Sequence, residues 1–188
     1  MKRSTITLLL GLAFAVFAPS AFSQCEPAGW SPLAPVPSYD YIANGLPSGS
    51  DCWGLTNASY VTGTTACGWT SSAFEFSYGG SLAQTVTIPS SDTNNHFALN
   101  YLLDFEDPHH VSYWDSISVY VYDATTNTYL SGDAYNGGMP DLDCSRRALA
   151  TYNGSLAGHT LSIYFSGSSA FSDTHVRVRM INFWGWHS

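Results

Sequence analysis

The feature that most constrains this chain is a period of two, punctuated by glycine and proline. Phe74, Phe76 and Tyr78 alternate with polar residues. After Gly79-Gly80 the alternation resumes at Leu82, Gln84, Val86 and Ile88 and stops at Pro89. A polar stretch at 90–95 follows. Then Phe97, Leu99, Tyr101, Leu103 and Phe105 alternate again. Side chains two apart share one face of a strand, so this pattern predicts half-buried antiparallel strands. Gly79-Gly80 is read as the turn of a hairpin over 74–89.

The same pattern continues downstream. Ile117, Val119 and Val121 form one apolar face, with Tyr120 and Tyr122 opposite. Residues 123–127 read as a turn and 128–131 as a short return strand. Residues 132–147 form the longest irregular stretch. Residues 156–158 read as a helical turn stopped by glycine. Leu161, Ile163 and Phe165, then Val176, Val178 and Met180, mark two later strands. Eight to ten short strands without a long helical pattern predict an all-β fold: a two-sheet antiparallel β-sandwich of jelly-roll type. Its rival is an eight-stranded outer-membrane barrel. Four cysteines, Arg177 and Arg179 within the last strand, and the polar end His187-Ser188 speak against that.

Residues 1–23 read as an export leader. Lys2 and Arg3 precede an apolar run over 6–17, and Ala21 and Ser23 occupy the cleavage positions before Gln24. Gln24 before Cys25 argues against lipid attachment. Residues 24–43 are a Pro-rich extended lead-in whose Trp30, Tyr39 and Tyr41 give it something to pack with. Residues 44–188 are assigned to one β-sandwich domain. After cleavage the basic side chains are Arg146, Arg147, Arg177 and Arg179, against fourteen carboxylates, a formal charge of −10. Such a surface repels phosphate backbones and anionic bilayers, which excludes nucleic acid and membrane surfaces as expected partners. No later apolar run is long enough to span a membrane. The expected location is outside the cytoplasm, secreted or periplasmic, and the leader suits a bacterium.

Cys25, Cys52, Cys67 and Cys144 are even in number and all follow the leader. Two disulfides are expected. Three pairings are open, and Cys52–Cys67 with Cys25–Cys144 is preferred.

The order of elements resembles a family. Its marks are Asn44-Gly45, Trp53, Ala73-Phe74, the segment LAQTVTIP over 82–89, Phe97-Ala98-Leu99, DSISV over 115–119, LAGHTL over 156–161 and a Val-rich final strand. Over about residues 44–184 they are similar to the galactose-binding-domain-like jelly roll, which includes many carbohydrate-binding modules. The resemblance implies a sugar- or protein-binding sandwich, with a structural Ca²⁺ in many members, and it implies no catalysis. Asn182 stands where the family's last strand often carries Asp, which puts transfer of that calcium site in doubt.

Two stretches gather candidate site residues. The first is 104–115, DFEDPHHVSYWD, where Glu106, Asp107 and His110 are weighed as metal ligands against a solvated acidic loop. The second is 132–147, where Asp133, Asp141 and Asp143 alternate with glycines in a pattern that suits Ca²⁺ but lacks EF-hand spacing. Sugar rings stack their C–H faces on aromatic rings, and polar side chains hold their hydroxyls. On that ground Trp69, Tyr113, Trp114 and Tyr135, with Asp107, His110, Asp115 and Asn136, are the expected ligand-binding residues. For each of these aromatics the competing role is packing. No nucleophile elbow, zinc-protease motif or phosphate loop occurs. The expected function is therefore a secreted non-catalytic binding module, with glycan as its partner. The alternatives are an extracellular structural or protein-binding sandwich, or a small hydrolase with an unrecognised carboxylate pair.

Overall fold

The alternation folds into strands that pair antiparallel throughout. The computed structural model describes residues 29–31, 38–45, 49–66, 69–106, 115–137, 145–169 and 174–187. The leader and Cys25, Cys67 and Cys144 lie outside these residues. The strands are β1 (Gly29–Ser31), β2 (Ser38–Asp40), β3 (Gly54–Ala66), β4 (Trp69–Thr87), β5 (His96–Glu106), β6 (Ser116–Asp123), β7 (Thr128–Asn136), β8 (Ser145–Asn153), β9 (Thr160–Ser168) and β10 (His175–Trp186).

Their pairing builds the two layers of a β-sandwich. In the first, β5 lies between β8 and β10, and β10 continues to β2 and β1. In the second, β9 lies between β4 and β6, and β7 follows β6. The inner faces meet in one apolar core of Phe74, Phe76, Phe97, Leu99, Val119, Phe165, Val178 and their neighbours. Tyr101 of β5 meets Phe165 of β9 edge to face, with ring centroids 5.5 Å apart. Trp53 packs on Phe74 at 5.6 Å. Each such buried side chain contributes about 1.5–3 kcal/mol of transfer free energy. The interior is thus filled with apolar side chains, whereas the outward positions of β6 and β9 carry serine, threonine and tyrosine and no aliphatic side chain. A membrane barrel requires an apolar outward band, so that rival is excluded.

The predicted turn at Gly79-Gly80 is corrected. The chain does not reverse there, because β4 runs on through it. Phe74 and Phe76 pair with Val178 and Val176 of β10, and from Gly80 onward β4 pairs with β9 instead. On the other edge, β3 follows β4 on both sides of the changeover, and residues 77–80 stand opposite Asn57 alone. Gly79 and Asn57 both have positive φ, 65° and 45°. This is a large β-bulge that bends one strand from layer to layer. A pair of glycines within alternation suits a kink as well as a hairpin, and only the partners of β4 decide between them.

The lead-in is stitched into the sandwich. Asp40 accepts from the backbone amides of Ile42 (3.1 Å) and Phe183 (3.0 Å) and from Asn182 Nδ2 (2.6 Å). Gln84 accepts from Ala43 N at 2.8 Å and donates back to Ala43 O at 2.9 Å. The amide of Asn182 therefore has a role a carboxylate could not fill, since it donates to a buried acid. Cys52 is disulfide-bonded. The return strand after 127 is longer than expected and reaches Asn136, which places Asp133 on a strand.

The bulge leaves no room at Gly80. A Cβ there would lie 2.5 Å from the carbonyl oxygen of Asn57 and 3.0 Å from that of Ser77. Gly80→Ala is expected to lose about 1–3 kcal/mol of stability in urea unfolding. Tyr78→Ala, at a side chain 78% exposed in the same bulge, is expected to stay within about 0.5 kcal/mol of the parent.

Candidate functional site

Both stretches singled out in the sequence spring from one end of the sandwich. β5 ends there at Glu106 and β6 begins at Ser116, which faces Asn136 of β7 on one side and Ser168 of β9 on the other. His175 opens β10 opposite Glu106, and Ser145 opens β8 opposite Leu103. Asp107, His110, Tyr113, Trp114, Asp141 and Asp143 lie outside the described residues. Trp69 opens β4 opposite Ala66, and its side chain is also outside them.

Two described members of this end, Tyr135 and Asp133, are committed to internal side-chain bonds. Asp115 is fully buried, and its carbonyl accepts from Gly137 N at 2.8 Å. Tyr135 belongs to the core. Its hydroxyl donates to Asp133 Oδ2 at 2.8 Å and lies 3.0 Å from that of Tyr101. Since Tyr135 donates to Asp133, Tyr101 is the donor to Tyr135. Burial, then the bond to Tyr135, pushes the Tyr101 hydroxyl pKa well above its ordinary value. Arg147 stands 5.0 Å over the Tyr135 ring, a cation–π contact. Asn136 is half-buried at the strand end. Asp133 also accepts from Ala134 N at 2.8 Å, so its carboxylate is occupied on a strand. Among the described residues no three His, Cys, Asp or Glu side chains gather to hold a metal ion.

The two outer faces of the sandwich differ sharply. On the first layer Glu75, Arg177 and Asp104 face one another across β4, β10 and β5. Arg177 Nε lies 2.5 Å from Glu75 Oε2, His175 Nδ1 is 3.1 Å from the same oxygen, and Arg179 Nη2 bonds Asp104. Arg177, Arg179 and Asp104 are all buried.

The outer face of the second layer carries aromatic rings, and sequence reasoning missed it. Register sets Gly132 of β7 beside Tyr120 of β6, Tyr120 beside Tyr164 of β9, Tyr164 beside Ala83 of β4, and Ala83 beside Gly54 of β3. Tyr120 and Tyr164 stack with centroids 6.2 Å apart and planes 29° apart. Tyr129 meets Tyr120 at 6.4 Å and 62°. Tyr129 is 57% exposed and Tyr120 39%. One row over lie Ser118, Ser166 and Ser81. On the other side lie Tyr122, Ser162 and Thr85. The result is a strip of rings between rows of hydroxyls. The alternation of Tyr120 with Val119 and Val121, and of Tyr164 with Ile163 and Phe165, shows that these rings face away from the core. Their alignment depends on which strands pair, and local sequence carries no such information.

The β6–β7 hairpin that presents Tyr120 and Tyr129 is held by Asp123. Its carboxylate accepts from Thr125 N (2.9 Å), Thr126 N (3.4 Å) and Thr126 Oγ1 (2.6 Å), and it meets His159 Nδ1 at 2.8 Å. Burial raises the Asp123 pKa, but the bonds from Thr126, His159 and the two amides outweigh it, so the net direction is down.

No family model matches this sequence, and no curated protein matches it. Solved structures do resemble the fold. TmCBM61, determined in complex with β-1,4-galactotriose, superposes with a TM-score of 0.56 at 9% identity, over 78% of this chain and 99% of that one. A cyclase from Fischerella sp. TAU gives 0.51 at 12% identity, over 80% and 98%. The enzymatically active domain of bacteriophage CBA120 tailspike protein 4 gives 0.50 at 13% identity, over 78% of this chain but 21% of that one. The chain has a β-sandwich like that of carbohydrate-binding modules, and the same architecture serves enzymes. At these identities the likeness is one of fold.

A depressed carboxyl pKa stabilises the fold above the unfolded value, and the contribution is lost as pH falls through the folded value. Asp123→Asn is therefore expected to lose about 1.5–3 kcal/mol near neutral pH. The gap to the parent should narrow below about pH 4. Urea unfolding of both proteins across this range measures it.

Proposed function

We propose that this protein is an exported module that binds carbohydrate on the ring strip of its second layer, Tyr120, Tyr129 and Tyr164. The observation that carries this reading is the alignment of three outward-facing rings, two exposed and Tyr164 half-buried, across three neighbouring strands. Flat aromatic faces complement the C–H faces of pyranose rings, and their rigidity limits the entropy lost on binding. The flanking serine and threonine hydroxyls both donate and accept, as sugar hydroxyls require. The likeness to a module solved with a galactan fragment supports the reading at the level of fold. The leader and the even cysteine count support export, with Cys25–Cys144 and Cys52–Cys67 as the proposed pairs. Asp107, His110, Tyr113 and Trp114, which lie outside the described residues, and Asn136 are kept as a second proposed contact region. Calcium held by Asp141 and Asp143 stays with that region as a proposal.

The test is affinity electrophoresis through gels containing soluble polysaccharides. Tyr164→Ala and Tyr120→Ala are each expected to weaken binding by up to roughly tenfold, with the far-UV spectrum and melting temperature unchanged. Retardation that persists undiminished in the double variant would place the site elsewhere. Concentration-dependent self-association abolished by the same substitutions, with no retardation by any polysaccharide, would favour a protein-binding face.

A further inference from the structure

Resting on the reading of the ring strip as a glycan platform, we infer that its ligand is an uncharged glycan lying across the strands rather than along them.

Charge carries the first part. Every outward position on this face is described, from the start of β3 through the second half of β4 to β9, β6 and β7. None is Asp, Glu, Lys, Arg or His. Asp133 of β7 is no exception, since it bonds the hydroxyl of core residue Tyr135. The chain does not lack charged strand residues, because the other outer face lines up Glu75, Arg177, Asp104 and Arg179. Carboxylated and sulfated glycans are recognised by guanidinium forks or ammonium groups, and this face has neither. The formal charge of the whole chain, −8, adds repulsion to any polyanion.

Register carries the second part. The rings follow one another from strand to strand, Tyr129 to Tyr120 to Tyr164. Beyond Tyr164 the row continues over Ala83 and Gly54, whose small side chains leave the track open to the β3 edge. From β7 to β3 this is four inter-strand steps, roughly 19 Å. Along the strands, by contrast, the strip is bounded by Ser118, Ser166 and Ser81 on one side and by Ser162 and Thr85, with Tyr122 at its β6 end, on the other. Tyr129 enters the row because residue 132 is glycine. A Cβ there would lie 2.2 Å from the Tyr129 hydroxyl oxygen. Gly132 is thus a positioning residue for the strip.

The experiment compares linear neutral polysaccharides (β-1,4-galactan, xylan, glucomannan) with polygalacturonate, alginate and dextran sulfate, at low salt and at about 0.5 M salt. Isothermal titration then runs each neutral binder from its monosaccharide to long oligosaccharides. The inference expects retention by neutral glycans alone and a dissociation constant that changes less than about twofold with salt. It also expects affinity to climb with ligand length until the track is filled. Tyr129→Ala should shorten the length at which affinity levels off without abolishing binding. Polyanion binding that depends on Tyr164 and fades with salt overturns the uncharged ligand while leaving a glycan platform standing. A monosaccharide that binds as tightly as its long oligomer overturns the cross-strand track. Silence across all glycans by a folded protein overturns the platform and this inference together.

Discussion

The fold depends on β4 being allowed to change partners. At residues 77–80 the strand leaves β10 and takes up β9, and β3 follows it across. Two sheets that share a strand must bend it sharply, and the bend crowds backbone against backbone. Gly79 supplies a positive φ, and Gly80 supplies the missing side chain where the Asn57 carbonyl approaches. Phe74 and Phe76 before the bend and Leu82 and Val86 after it all reach the core. With the two layers joined this way, Trp53 can pack on Phe74 and Phe165 together. The lead-in is held against the same frame by Gln84, a β4 residue whose amide bonds Ala43 in both directions.

The two layers turn different chemistry outward. The first buries ion pairs on its outer side, where Arg179 is almost fully covered. Buried ions are costly to desolvate, and these are matched by carboxylates on neighbouring strands rather than left alone. The second exposes rings and hydroxyls with no formal charge. A charged surface attracts or repels at a distance, whereas a neutral aromatic strip acts only on contact and on shape. That contrast, rather than the general likeness to binding modules, is the ground on which the second layer is proposed as the binding face.

Much of this was legible in the chain. The inward sets of β4, β5, β6 and β9 follow from period two alone, and the turn over 123–127 follows from its polar residues. The lead-in's aromatics signalled packing, and Tyr39 and Tyr41 do pack together, with ring centroids 4.8 Å apart. The turn at Gly79-Gly80 was misread because glycine permits both a reversal and a bulge. The strand through Asp133 was missed because Gly, Asp and Asn are poor strand formers, and the pairing with β6 overrode them. Tyr135, expected at a ligand, lies in the core because its inward register against Ile117 outweighs the polar composition around it.

Sequence by itself determined the class of the fold, the parity of nearly every strand and the acidity of the whole, since each depends on neighbours a few bonds apart. Only the tertiary structure decided which faces those parities combine to make. Tyr120, Tyr129 and Tyr164 occur on three strands and form one strip because β6 pairs with both β7 and β9 in a fixed register. Hydrogen-bond pairing between distant strands is cooperative over the whole core, and no local stretch encodes it.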